Sequence, residues 1–442
     1  MSENRAVGGG AVTASSGWQA SRFYPWSVFG INFILMMSDY ATRNVISPLF
    51  PMIKAEYMLS DTQLGMLVSA VTLAVGFSTI PLALIADRFG RVKAVTIMAV
   101  VWCLATMYIG ISRNFEQMLV ARFIVGLGEG AYAAAGFALL ANAFPPRKHS
   151  SIMGAFQSAV MVGSTLGVLI GGILAVKYGW RTTFILVGAP GLLFAILFPL
   201  VVRDYKTVPL SGNNQTGERD TAMRRAGMII REVFGSRSVN LTYFAYALQM
   251  AIPITLITWM PTYFNRYFGM DIKKAGLMGA ALVVLTAVGM ILGGTFSDRL
   301  SRKDMRYRGW SAAAYTALTG VLLIVACALP PSSLVLVLIF GGALFAAAHS
   351  GAASAILLST TNPAVRTTVG ATCITASALI GQSVGPVLVG FISDIIGLKA
   401  ALTLIPFITF VPAILFILVS RTVVADMAKY AQEETPGEKA IS

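Results

Sequence analysis

Two stretches, half a chain apart, decide how this sequence is read. They are Ala83-Leu84-Ile85-Ala86-Asp87-Arg88-Phe89-Gly90-Arg91-Val92-Lys93 and Gly294-Thr295-Phe296-Ser297-Asp298-Arg299-Leu300-Ser301-Arg302-Lys303. Each follows an apolar run with Asp-Arg, an apolar residue and a basic cluster, and Asp298 lies 211 residues (298 − 87) after Asp87. A single copy would read as an incidental acid in a topogenic positive loop. Two copies at half-chain spacing mark an internal duplication. An acid closing one helix ahead of a basic cluster can bond a neighbouring helix end and later release it. Asp87, Arg88 and Arg91, with Asp298, Arg299 and Arg302, are therefore expected to form gating loops. A second echo supports the duplication. Gly163, Gly167 and Gly171 recur every fourth residue, as do Gly381 and Gly385 before Pro386, at an offset of 218 (385 − 167). This spacing puts small residues on one helix face and lets two helices approach closely.

Composition gives these repeats their setting. The chain has 442 residues, 56% hydrophobic and only 12% charged, with mean hydropathy +0.74. Soluble domains carry roughly 25% charged residues, and single cores stop growing beyond roughly 250–300 residues. So much apolar surface belongs in lipid. Apolar runs long enough to cross a bilayer occur near 26–48, 63–86, 93–112, 117–144, 151–176, 182–202, 239–262, 275–297, 310–329, 333–360, 367–392 and 400–420. The expected fold is an all-α membrane protein, twelve transmembrane helices in two pseudo-symmetric six-helix bundles at 25–202 and 239–421. Polar residues 203–238 read as a cytoplasmic linker, 1–24 as a disordered tail and 422–442 as a second tail.

The formal net charge is +14, which raises the question of nucleic acid. With both termini in the cytoplasm, the tails and even-numbered connections hold 23 of the 33 Lys and Arg, the odd-numbered connections 8, and the spans two. That is the positive-inside asymmetry of a multi-pass protein. It argues for a cytoplasmic (inner) membrane location with both termini inside, and against a nucleic-acid partner. The three cysteines fall inside spans, with no CxxC or HExxH. Metal, cofactor and hydrolytic enzyme sites are therefore not expected.

Charges inside spans are costly and mark function. Asp39 and Arg43 lie four apart in the first span, on one face. Arg122 and Glu129 lie seven apart in the fourth, where Gly126, Gly128 and Gly130 thin the helix. An Arg that approaches or leaves an acid as the protein rocks would change the acid's proton affinity. Glu129 is expected as the principal proton carrier, Asp39 as a second carrier or switch, Arg122 as their partner and Arg43 as substrate anchor. Arg122, Tyr132, Tyr246, Gln249, His349 and Gln382 complete the expected substrate contacts. Trp259 and Tyr263 read as interfacial anchors.

The duplicated loops, twelve spans and middle linker resemble the major facilitator superfamily over nearly the whole chain. Ala83 and Ser301 stand where that signature carries glycine. The resemblance implies two bundles that open a central cavity to each side in turn. The stretch Arg122-Phe123-Ile124-Val125-Gly126-Leu127-Gly128-Glu129-Gly130-Ala131-Tyr132 is similar to the fourth span of Spinster-like transporters and of the anion:cation symporters. Asp39 with Pro48, Leu59-Ser60-Asp61-Thr62-Gln63-Leu64-Gly65 and Gly179-Trp180-Arg181 fit the same branch. Two departures stand out: Tyr40 follows Asp39 where the branch carries Arg, and Val168 stands where the antiporter signature carries Pro. In these relatives the fourth-span Arg and Glu are tied to proton coupling. The resulting expectation is a monomeric, proton-coupled secondary transporter of an organic or lipid-like anion. Its alternatives are a lysolipid or sphingoid exporter and a proton-driven drug efflux pump. A non-transporting sensor ranks last. A wide opening between spans would favour lipid, and a sealed cavity a small carboxylate.

Overall fold

The computed structural model describes residues 23–145, 148–203, 233–362 and 365–431. Most of the expected linker, most of the N-terminal tail and residues 432–442 lie outside the described residues. The first bundle comprises α1 (Tyr24–Asn44), α2 (Phe50–Tyr57), α3 (Asp61–Phe89), α4 (Arg91–Ile109), α5 (Phe115–Glu129), α6 (Tyr132–Ala143) and α7 (His149–Val201). The second comprises α8 (Arg237–Gln249), α9 (Ala251–Phe268), α10 (Ile272–Ser301), α11 (Arg306–Ala328), α12 (Ser333–Ala346), α13 (His349–Ser359), α14 (Arg366–Ala376), α15 (Ser383–Ile396), α16 (Leu398–Leu404) and α17 (Phe410–Ala431).

Ten segments of the described residues are long and apolar enough to cross a membrane. The 21-residue α1 adds another. The 53-residue α7 folds back at Gly179 (φ 79°, ψ 161°) and so supplies two. The chain crosses twelve times, in two six-helix bundles. The sharp hairpin at Gly179 recurs at Gly397 (φ 88°, ψ 152°), before α16. Their separation of 218 (397 − 179) equals that of the glycine ladders, and both positions need glycine because φ is positive.

Several spans that read as unbroken in the sequence are interrupted at mid-depth. Pro253 has no amide proton to offer the Gln249 carbonyl, and α8 ends there. Pro386 does the same to Gln382, the last residue of a π-helical turn at Ser377–Gln382 that joins α14 to α15. The fourth and tenth spans break at matched residues, Ala131 (φ −111°, ψ 2°) and Ala347 (φ −112°, ψ 4°). The first span also differs from its expected range of 26–48. Its α-helix stops at Asn44, and a 3₁₀ turn at Ser47–Leu49 leads into α2, because Pro48 and Pro51 donate no hydrogen bonds.

The glycine ladders set the packing within each bundle. Added β-carbons at Gly163, Gly167 and Gly171 would strike the carbonyls of Met37, Ala41 and Val45 on the first span. Those at Gly381 and Gly385 would strike the carbonyls of Ala247 and Ala251 on the seventh. Between bundles, Gly390 of α15 rests on the Asp61 carbonyl of α3, and Gly172 of α7 rests on the Ile272 carbonyl of α10. These two seams repeat the offsets of 218 (390 − 172) and 211 (272 − 61).

Both seams lie at the end away from the Asp-Arg loops, and ionic contacts latch the bundles there. Asp61 accepts two hydrogen bonds of 2.7 Å from Arg266 of α9 and one of 2.5 Å from the Ser393 hydroxyl of α15. Asp394 of α15 accepts from the Asp61 and Thr62 amides at 2.7 and 2.9 Å, so a carboxylate of one bundle caps the first turn of a helix in the other. Lys54 of α2 also donates to Asp61. Glu56, on the same short helix, accepts from Trp180 at 2.5 Å and from Arg181 at 2.7 Å. The Gly-Trp-Arg stretch thus pins α2, and α2 props the latch.

Candidate functional site

The α1 helix ends at Asn44, so its final carbonyls have no partner within the helix. Arg122 supplies one. Its guanidinium is fully buried and donates to the carbonyls of Thr42 (3.4 Å) and Arg43 (3.1 Å) at the end of α1 and of Leu67 (2.8 Å) in α3. Among the described residues Arg122 thus makes no ion pair with Glu129, the acid it was expected to partner. Arg122 staples backbone, because its seven-residue separation from Glu129 leaves it two helical turns away along the axis.

Glu129 is met by Arg43 instead. The Arg43 Nη2 to Glu129 Oε2 distance is 2.6 Å, and the same nitrogen lies 3.7 Å from Asp39 Oδ1. One guanidinium is thus shared by two acids. Among the described residues, Asp39 Oδ1, Glu129 Oε1 and Arg43 Nε make no hydrogen bond. Of the three side chains Arg43 is the most accessible, at 11% against 4% for Asp39 and none for Glu129. Tyr40 lies under the Arg43 guanidinium, 4.7 Å from its ring centre, and holds the cation by a cation–π contact. The sequence reading noted Tyr40 only as a departure from the branch, although a Tyr three residues before an Arg on one helix is the signal for such a contact.

The residues expected to contact substrate from the second bundle are neutral. His349 is fully buried between Tyr246 (ring centres 5.4 Å apart) and Phe416 (6.0 Å). Gln249 is fully buried and donates to the Ala346 carbonyl at 3.3 Å. Tyr246 lies beside Ser350 in its own bundle. Gln382 closes the π-helical turn and donates to Ser377 at 3.4 Å.

The other expected residues fall away from this site. Tyr132 is fully buried inside the first bundle, where its hydroxyl donates to the Asn32 carbonyl at 2.8 Å and its ring packs on Trp102. Trp259 and Tyr263 are fully buried, not interfacial. Trp259 donates to the Pro386 carbonyl at 3.1 Å and meets Phe50 of the other bundle edge-on. In the Asp-Arg loops, Asp298 pairs with Arg308 at 3.3 Å. Arg299 and Arg302 are exposed. Arg88 sits 5.8 Å from the Phe89 ring, and Arg91 opens α4. The Asp87 side chain lies outside the described residues.

A separate lateral groove of about 840 Å³ runs between α3, α5 and α15. Its walls are apolar, with Leu73, Phe123 and Phe391 among them, and among the described residues its only polar side chains are Thr62, Ser69 and Ser383.

The sequence profile described as Major Facilitator Superfamily matches residues 28–321. The chain belongs to that superfamily. As a facilitator it is an integral, multi-pass membrane transporter and not an enzyme. The hexuronate transporter of Bacillus subtilis (strain 168) is 25% identical over 62% of this chain and 64% of its own length. An MFS-type efflux pump of Mycolicibacterium smegmatis (strain ATCC 700084 / mc(2)155) is 26% identical over 84% of each chain. Among solved structures, a bacterial homologue of the human lysosomal transporter Spinster superposes with a TM-score of 0.81. It was captured inward-facing and unoccupied, and the match has 20% identity over 92% of this facilitator and 99% of that chain. That likeness agrees with the fold expected from the Spinster-like motifs. The residues the sequence reading missed are those of the latch. Asp61 stood within the quoted Leu59–Gly65 stretch, but Arg266, Ser393 and Asp394 carried no local signal.

Proposed function

We propose that this facilitator couples the movement of an organic anion to that of a proton, by alternating access. The observation that carries this reading is the sharing of Arg43 by Asp39 and Glu129. With all four buried charges ionised, Asp39 and Glu129 balance Arg43 and Arg122. An incoming carboxylate competes with Glu129 for Arg43, the accessible member of the set. Releasing Glu129 in a low-dielectric site without a counter-charge is unfavourable unless it takes up a proton. One proton and one negative charge then enter together and the cluster keeps its net charge. Loading by either ligand favours loading by the other, which is the reciprocity coupling requires. The hexuronate transporter among the relatives, whose named substrate is a sugar carboxylate, supports an anionic cargo.

The latch at the end remote from the Asp-Arg loops corresponds to a state closed on that side. The distribution of Lys and Arg favours a cytoplasmic membrane, both termini inside and a cavity open to the cytoplasm. The two seams and the latch join both bundles within one chain, which favours a monomer as the working form. The lateral groove favours a second reading, a lipid-like or apolar cargo entering from the bilayer, in line with the efflux pump among the relatives. Among the described residues no charged side chain lines that groove, so the charged cluster supports the anion first.

The test is flux into proteoliposomes, with and without a pH gradient, using a panel of sugar acids and aromatic acids. Glu129→Gln is expected to abolish gradient-driven uptake while exchange of anion for anion persists. Unaltered pH dependence in that variant would show that Glu129 is not the carrier.

A further inference from the structure

The lateral groove is walled by both bundles. Met66 and Leu73 of α3 and Phe123 of α5 belong to the first, Val384 and Phe391 of α15 to the second. Between the walls runs the seam on which the bundles meet. A β-carbon at Gly65 of α3 would strike the Pro386 carbonyl of α15, and one at Gly390 of α15 would strike the Asp61 carbonyl of α3. The latch closes one end of the groove, since Thr62 lines it and donates its hydroxyl to Asp394.

Depth and direction identify what fills it. Along α3 the lining runs from Thr62 to Leu73, eleven residues, or about 16 Å at 1.5 Å per residue. The hydrocarbon core of a bilayer is about 30 Å thick, so one leaflet is about 15 Å. The groove therefore begins at the latch and stops near mid-membrane, the depth of a single leaflet. Met66, Leu73, Val120, Phe123, Val384 and Phe391 are exposed on helices that cross the membrane, so the groove opens sideways into lipid. At that depth the surrounding medium is acyl chains. Thr62 and Ser383 spend their hydroxyls on Asp394 and on the Leu379 carbonyl. Ser69 is buried, and a serine inside a helix can turn its hydroxyl to a carbonyl of the preceding turn. What the groove offers a ligand is hydrocarbon.

The groove is also blind. Helix α3 stands between it and the Arg43 cluster, and α3 packs closely on both neighbours. A β-carbon at Gly126 of α5 would strike the Val71 carbonyl, and one at Gly76 would strike the Leu379 side chain beyond the Gly65–Pro386 contact. A chain that enters from the bilayer lodges there and does not pass to Arg43.

We propose that the groove holds one acyl chain of a phospholipid of the latch-side leaflet, as a resident clamp and not as cargo, and that this chain favours the latched state. Lipid tails are as apolar as the walls, so the gain comes from packing. An unfilled groove would forfeit the dispersion contacts of its lining. The chain touches both walls only while α3 and α15 meet, and it loses one wall when the bundles part at the latch. A ligand that binds one of two states better shifts the population towards it. By reciprocity, unlatching must weaken the hold on the chain by the same factor. The inference rests on the bundles parting at that end and not on the identity of the cargo.

The test uses the full chain in phosphatidylcholine vesicles that contain a tracer of phosphatidylcholine with a diazirine in its acyl chain. After irradiation, adducts are mapped by peptide mass spectrometry. They are expected on Leu73, Phe123 and Phe391 at least about fivefold above Leu104 and Val284, which are exposed in the same half of other spans. Ala70→Trp, which fills the groove, should lower the groove adducts by about fivefold or more and leave those at Leu104 and Val284 unchanged. Asp61→Asn, which releases the latch, should lower them as well. Phe391→Ala, which strips the second wall, should lower them and raise the open population about threefold, read as the distance between nitroxides at the exposed Met58 and Lys274.

Adducts spread evenly over groove and control positions would mean ordinary boundary lipid and overturn the proposal. So would groove adducts that persist in Asp61→Asn once the nitroxides show it open. Movement of a fluorescent phosphatidylcholine across the vesicle wall, lost in Ala70→Trp, would make the groove a cargo entrance and overturn it too. If Asp61→Asn fails to open, the latch reasoning fails, and Phe391→Ala decides the clamp: fewer adducts with no rise in the open population overturn it. None of these readouts depends on the Glu129→Gln flux result.

Discussion

Replacing Asp61 with Asn should unlatch the closed end. Asp61 is almost fully buried, whereas the side chains of Arg266 and Lys54 keep 28% and 36% of their exposure. Lys54 belongs to the same bundle as Asp61, so its 2.5 Å bond survives a rocking motion and contributes nothing to the latch. What is lost on opening is the twofold bond from Arg266 and the Ser393 hydroxyl bond. Hydrogen bonds to charged groups contribute roughly 1.5–3 kcal/mol. Partial exposure of Arg266 lowers that, because water can solvate it in the open state. Asn keeps a weaker neutral acceptor, and Asp394 still caps α3. A net loss of about 2 kcal/mol follows, or about thirtyfold in the ratio of closed to open forms. The assay is pulsed electron resonance between nitroxides at Met58 and Lys274, one on each bundle. Met58 is 87% exposed and Lys274 is exposed. The native cysteines are all buried and would not compete for label. A longer-distance population should grow in Asp61→Asn and in Arg266→Gln, and the double variant should add little to either. Distance distributions identical to wild type in both single variants would refute the reasoning and reduce these bonds to decoration on a seam held by packing.

Two further outcomes follow from the fixed ionic contacts. Arg122→Met should lower thermal stability by about 3 kcal/mol or more, since it strands three buried carbonyls; a melting curve like that of wild type would show that the staple is dispensable. Glu56 gives a pH signature outside the membrane. Burial pushes its carboxyl up, but the hydrogen bonds from Arg181 and Trp180 outweigh burial and hold it below its ordinary value of 4.5. Its stabilisation is therefore present above that value and lost as pH falls below it. Glu56→Gln should melt lower than wild type at pH 7, by about 1 kcal/mol at most, with the gap closing below pH 4.5; a gap that widens on acidification would reverse the assignment.

The Asp-Arg loops and glycine ladders made the duplicated bundles legible because both are local patterns repeated at a fixed distance. The charges of the site were legible too, since an ionised group is conspicuous in an apolar run. Their pairing was not. Arg43 and Arg122 are both long enough to reach Glu129, and the choice depends on where α1 ends. Pro48 signalled a stop, but only the structure shows that Arg122 is consumed by the carbonyls that stop exposes. The latch was invisible for a different reason. Asp61 and Arg266 are 205 residues apart, and each reads as an ordinary charge at a span end. Gln249, midway between Ala247 and Ala251, is the image of Asp39, midway between Met37 and Ala41, and seeing this required three registers at once. Helix pairs repeat at 210, 211 and 218 residues because the connecting loops differ in length, so no single offset aligns the halves.

The staple links the site to the latch through one rigid frame. Arg122 bonds the carbonyls of Thr42 and Arg43 and also that of Leu67. It thereby ties the end of α1, which carries Asp39 and Arg43, to α3 six residues after Asp61. The α2 helix between them is held near its C-terminal end, by Lys54 on Asp61 and by Glu56 on the α7 hairpin. A change of partner at Arg43 therefore occurs in the same packed unit that presents Asp61 to Arg266. Packed units of this kind shift between discrete arrangements and do not deform gradually. On this account the titratable bundle sets the state of the latch, and the amide-bearing bundle supplies Arg266, Ser393 and Asp394 as fixed partners. An acid at the Gln249 position would break that division, since both bundles would then respond to protons and the latch would receive two signals where one suffices.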